Sequence, residues 1–273
     1  SVYGAGANDT ISFADVTVTN ANVLADGGDG SDSILFSDSN AGTALVSLVG
    51  GKGADTIVFT TAQNGVVTDG GAGQDSITLE STTALTITGG AGSDTITFKN
   101  GAVTAAMSVD GGAQADAIYV GTAASALVAL NAAATVGGGD GADTIAALGF
   151  ASAGSINGGA GNDSFSFAGS MTFAETTGST GSGTTYFFGT NSGSDTLSFE
   201  GSTSSLGTYA SLILGYDSAT MGTSFTQGTI SVSGSTTYTT FSGDAGGTLT
   251  ILGSHASVGN AAVSADAITF FES

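Results

Sequence analysis

The chain contains no cysteine, proline, tryptophan or arginine among its 273 residues, and it has one histidine and two lysines. The lack of cysteine excludes disulfide staples and thiolate metal sites, and leaves the redox compartment unfixed by thiol usage. The lack of cations leaves 19 Asp and 4 Glu facing only Lys52 and Lys99, a formal net charge of −21. Nucleic acid and anionic membrane surfaces are therefore disfavoured as partners. No apolar run approaches the roughly 20 residues of a membrane span, so no membrane insertion is expected. The opening Ser1-Val2-Tyr3-Gly4 has no basic segment followed by an apolar one, and no secretory signal is read there.

Carboxylates at this density repel one another in a compact state, so folding calls for positive charge from outside the chain. Divalent cations are the obvious source. What the chain does have is 46 Gly, abundant Ser, Thr and Ala, and 40% hydrophobic residues, enough to supply a core.

Those residues are arranged in a repeat. The pattern Gly-Gly-x-Gly-x-Asp-x-apolar-x-apolar appears as Gly27-Gly28-Asp29-Gly30-Ser31-Asp32-Ser33-Ile34-Leu35-Phe36, and again over 50–59, 70–79, 89–98 and 158–167. The copy at 138–147 keeps the turn but ends on Ala147, and weaker copies run over 4–13, 111–120, 190–199 and 261–270. The repeating acid is Asp9, Asp32, Asp55, Asp75, Asp94, Asp116, Asp143, Asp163, Asp195 and, in the most degenerate copy, Asp266. Each copy reads as a turn followed by a strand, because glycine permits positive φ and close backbone approach before period-two alternation begins.

The first inward position is Ile11, Ile34, Ile57, Ile77, Ile96, Ile118 and Ile145, then Phe165 and Leu197; the second is mostly Phe, as at Phe13, Phe36, Phe59 and Phe98. A shorter apolar alternation precedes most Gly-Gly pairs, as in Val46-Ser47-Leu48, Leu85-Thr86-Ile87 and Met107-Ser108-Val109. Each rung of about 20 residues thus supplies two strands, and a loop of variable length absorbs the irregular period. One rung cannot bury its apolar face alone, so rungs must stack into a continuous core. The expected fold is all-β: a calcium-stabilised β-solenoid (β-roll or parallel β-helix) over residues 1–200, followed over 201–273 by an irregular β-rich segment that either continues the solenoid or stands apart.

Calcium takes six to eight hard oxygen ligands, and glycine-rich turns expose carbonyl oxygens that can approach an ion closely. The candidate ligands are Asp9, Asp32, Asp55, Asp75, Asp94, Asp116, Asp143, Asp163 and Asp195 of the repeat, with Asp26, Asp69 and Asp110 just before turns and Asp29 and Asp140 inside them; Asn157 is a further amide before a turn. A single such turn is explained as well by ordinary turn chemistry, in which Asp bonds its own backbone. Six near-perfect copies in register favour an ion between rungs. Nine stacked turns give about eight such positions, and roughly eight Ca²⁺ would offset most of the charge.

The glycine-aspartate nonapeptide over 4–199 resembles that of RTX proteins, for which it is the calcium signature. In composition the chain is closest to the calcium-rich β-solenoid surface-layer proteins of Gram-negative bacteria. That resemblance implies an extracellular, cell-surface location, type I secretion, and a structural protein that polymerises with itself into a layer or filament, with cell-surface polysaccharide as a second candidate partner. The family's usual roll has two motifs per rung where this chain has one.

No catalytic residue is read. His255 has no companion Cys or carboxylate motif, Ser lacks a Gly-x-Ser-x-Gly elbow with a base, and the Asp pairs repeat the turn pattern. Alternatives to the structural reading are a calcium-dependent adhesin, an ice-binding module, or the secretion β-roll of a larger secreted enzyme. The Thr of the repeat alternate irregularly with Ser and Ala, against a flat ice-binding array. No Pro, Arg or Lys blunts the first strand edge, so end-to-end or edge-to-edge association is expected.

Overall fold

The computed structural model describes residues 1–14, 22–37, 45–60, 65–80, 85–99, 107–120, 129–130, 134–147, 149–150 and 155–168, and six later strand segments plus Thr185–Phe188. Side chains are described within these ranges up to residue 146, except at 129–130, and again over 156–165. The molecule is an all-β parallel solenoid, and no helix occurs among the described residues. Accordingly, none of them forms a helix long and apolar enough to cross a membrane.

Two sheets run the length of the stack. The first takes the strand before each turn: Val2–Gly6, Val23–Asp29, Val46–Lys52, Val66–Ala72, Leu85–Ala91, Met107–Ala113, Ala134–Asp140 and Ser155–Ala160, then Thr185–Phe188, Leu212–Tyr216 and Ile268–Glu272. The second takes the strand after it: Thr10–Ala14, Ser33–Ser37, Thr56–Phe59, Ser76–Leu79, Thr95–Phe98, Ala117–Val120, Thr144–Ala147 and Ser164–Ala168, then Ser194–Glu200 and Thr248–Gly253. All these neighbours pair in parallel, and the pairing register matches repeat to repeat, with Ile57 beside Ile34 and Ile77. The second sheet ends in an antiparallel pair, Phe225–Ser233 and Thr236–Gly243, the latter lying against Thr248–Gly253. Ala129–Leu130 and Gly149–Phe150 form a separate two-stranded ladder outside the main sheets.

Alternation places one side of every strand inside. Val46, Leu48 and Gly50 of one strand and Asp55, Ile57 and Phe59 of the next are buried, while the residues between them are not. The expected Ile ladder is present from Ile11 to Ile145, continued by Phe165. Phe36 and Phe59 stack with centroids 5.4 Å apart, and Phe13 meets Phe36 at 5.8 Å with the rings tilted by 40°; Leu79 then interrupts the aromatic ladder before Phe98. Thr68 stands in the aliphatic row otherwise filled by residues such as Leu48 and Ile87, buried and with no partner for its hydroxyl.

The tenth copy of the repeat is corrected by this topology. Its apolar pair, Ile268 and Phe270, was expected to follow a turn in the second sheet. The strand Ile268–Glu272 instead pairs with Leu212–Tyr216 in the first. Residues 261–266 have no Gly-Gly pair, the sequence feature that marks the corner between the sheets in the earlier copies.

Candidate metal centre

The corner joining the sheets is built by three glycines and one aspartate. In Gly50-Gly51-Lys52-Gly53-Ala54-Asp55, Gly51 and Gly53 have φ of 112° and 120°, a region that L side chains rarely adopt. A Cβ at either would also run into the backbone carbonyl of its counterpart one rung earlier, Gly28 or Gly30. Gly50 has another reason to be glycine. It faces inward, and a Cβ there would stand 2.6 Å from Oδ2 of Asp55, whose side chain occupies that space.

The repeat aspartates therefore form an internal row at the corner end of the core. Asp32, Asp55, Asp75, Asp94, Asp116, Asp143 and Asp163 are each at most 3% exposed. Within the row, the amide of one Asp donates to Oδ1 of the Asp in the following rung: Asp9 to Asp32 at 2.7 Å, Asp32 to Asp55 at 2.7 Å, Asp55 to Asp75 and Asp75 to Asp94 at 2.8 Å, Asp94 to Asp116 at 2.7 Å, Asp116 to Asp143 at 2.8 Å and Asp143 to Asp163 at 3.0 Å. The rungs so linked are 19 to 27 residues long. Oδ2 of Asp9, Asp32, Asp55, Asp75, Asp94, Asp116 and Asp143 is buried without any hydrogen-bond partner.

Burial without a second partner disfavours the charged carboxylate. Desolvation raises the pKa of Asp55, Asp94 and Asp163, of Asp75 and Asp143 to about 6, and of Asp116 to about 7. The backbone hydrogen bond to Oδ1 pulls the other way but is outweighed. Neighbouring carboxylates add to the rise, Asp94 and Asp143 acting on Asp116, and Asp163 and Asp140 on Asp143.

The remaining candidate ligands lie elsewhere. Asp26, Asp69 and Asp110 occupy the outward row of the first sheet, in alternate rungs, with Val49 and Thr88 between them in register. They do not join the inner row, although Asp69 acts electrostatically on Asp75 and Asp110 on Asp116. Asp29 and Asp140 close their first-sheet strands on the outside; Asp29 is bound at 2.9 Å by Lys52 Nζ, an exposed pair. Asn157 is exposed and accepts from the Gly159 amide. Asp195 takes Asp163's place on the backbone, since Thr196 pairs with Ser164. Asp266 and His255 lie outside the described residues.

The donor set at the corner is oxygen alone, one orphaned Oδ2 in each rung from Asp9 to Asp143 beside glycine carbonyls, as a hard cation requires. Among the described residues no three acidic, His or Cys side chains converge on one point, so any ion held here would draw on those carbonyls as well as on carboxylates from successive rungs. The sequence reading missed a minor polar chain beside the row: the Ser31 amide donates to Asn8 Oδ1 and the Ala54 amide to Ser31 Oγ. Its only signal is a polar residue directly before Asp9 and Asp32. No protein-family model matches the chain, and no curated protein is significantly similar to it.

Proposed function

We propose that the chain is an extracellular, calcium-dependent structural protein that assembles with itself into a surface layer or filament. The observation that carries the calcium reading is the row of buried carboxylates from Asp9 to Asp143, each with one oxygen unpartnered. An isolated buried charge is costly, and seven in a row cannot all stay ionised without compensation. A bound divalent cation would supply that compensation, with the Oδ2 atoms and the adjoining glycine carbonyls as the oxygens offered. It would also answer the net charge of −21, which two lysines leave almost whole.

Repetition favours a structural role over catalysis, because successive rungs from Asp32 to Asp163 carry the same buried acid, whereas acid-base chemistry needs one differentiated pair. Assembly rests on the same resemblance as the cell-surface setting. The cell-surface setting rests on the resemblance to surface-layer solenoids.

The test is a calcium titration. Circular dichroism at pH 8 should show the β signal lost in excess EGTA and regained as free calcium rises towards the millimolar range, with ordered assemblies appearing in negative-stain microscopy. A full β signal at nanomolar free calcium would refute the metal dependence, and a calcium-bound protein that stays monomeric at high concentration would refute the assembly.

A further inference from the structure

The first rung differs from the others at two positions. Second and third corner glycines such as Gly28 and Gly30, Gly51 and Gly53, Gly71 and Gly73, or Gly139 and Gly141 have positive φ, and a Cβ on any of them would enter the backbone of the rung before it. In the first rung these places are held by Ala5, paired with Gly28 in register and with φ 89°, and by Ala7, with φ 153°. The conformations are those of Gly28 (98°) and Gly30 (147°), so the two methyl groups project the same way, off the open end of the stack.

The inward glycine provides an internal comparison. Gly4 is kept, and a Cβ there would meet Asp9 and the Gly27 carbonyl, which lie within the stack. Glycine is thus retained in this rung where the existing stack demands it, and is replaced where only a rung lying beyond the first would demand it. Gln114 is the other positive-φ residue among the described non-glycines. It sits in the third-glycine column at φ 81°, well below its neighbours Gly92 (134°) and Gly141 (155°). That column therefore yields to a side chain by changing its turn, whereas the column of Ala5 has glycine in each later rung through Gly159.

We infer that Ala5 and Ala7 make the first rung a steric stop, closing this end of the stack to a further glycine-aspartate rung, including one offered by a second copy of this chain. The edge is blunted by two methyl groups in place of the charges or prolines that protect other sheet edges. Self-assembly then has to use other surfaces. The inference depends on the stacking geometry and not on the calcium or surface-layer reading.

The test places a duplicate of residues 23–47 ahead of Val2, whose counterpart two rungs on is Leu48. The lengthened chain is made with Ala5 and Ala7 in place and, separately, as Ala5→Gly/Ala7→Gly. Amide hydrogen exchange is followed in millimolar calcium. Protection at Ile57 and Ile96 reports that the original stack is folded in both. The added rung should exchange like unstructured peptide in the first chain and gain about tenfold or more protection in the glycine variant. Equal protection of the added rung in the two chains, whether high or low, overturns the inference.

Discussion

The repeat aspartates from Asp32 to Asp143 use their two oxygens differently, Oδ1 taking the amide of the rung before and Oδ2 having no partner, and this division sets the response to pH. The folded-state pKa values of Asp75 and Asp143, about 6, and of Asp116, about 7, lie above the ordinary 3.8 of an unfolded chain. In the metal-free protein their contribution to stability is therefore fully present below about pH 4 and is lost as pH rises through 6 and 7. Urea melts in EGTA should give a stability that falls between pH 5 and 8; a flat or rising profile would contradict the buried row. Thr68 makes a separate prediction. Its hydroxyl is buried without a partner, so Thr68→Val, equal in shape and apolar, should stabilise by about 1 kcal/mol in the same melts. Asp at fixed distance from Gly-Gly was legible in the sequence, because spacing alone marks it. The fate of its two oxygens was not, since that depends on the rung above and below. Asp69 follows inward Thr68 by one position, so alternation already implied an outward side chain.

At the scale of strands and corners, the two-strand rung was plain in the sequence, since Leu85-Thr86-Ile87 and Ile96-Thr97-Phe98 both alternate and a three-glycine corner stands between them. Misassignment came where alternation survived without a corner. Ile268-Thr269-Phe270 alternates like the earlier strands, but period two marks a strand and not the sheet it enters; in the earlier copies that choice goes with the glycines, and residues 261–266 have no Gly-Gly pair. The corner should accordingly be the most sensitive part of a rung. Gly90 has φ 114°, and a Cβ on it would collide with Gly71. Gly90→Ala should cost about 2 kcal/mol or more, whereas Ala91→Ser, at the exposed next position, should stay within about 0.5 kcal/mol. Equal effects in urea unfolding would mean that the corner can relax as it does at Gln114.

Along the stack from Asp9 to Asp163, the separation of successive aspartates ranges from 19 to 27 residues, yet the pairing register does not drift. The constancy is local: Val46 and Asp55, Val66 and Asp75, and Leu85 and Asp94 are all the same nine positions apart, so the variation falls between the end of one rung and the start of the next. A glycine inserted between Ala62 and Gln63 should shift the melting temperature by no more than about 2 °C. The same residue inserted between Gly53 and Ala54 should unfold its rung, because one step turns every inward side chain of a strand outward. Similar melting temperatures for the two insertions would show that the corner does not fix the phase. Each corner acts as a timing mark at which the count of residues starts again, so an error of length is confined to the interval where it arises. Such a chain tolerates miscounting and can lengthen by copying one interval, with no other interval having to be retuned.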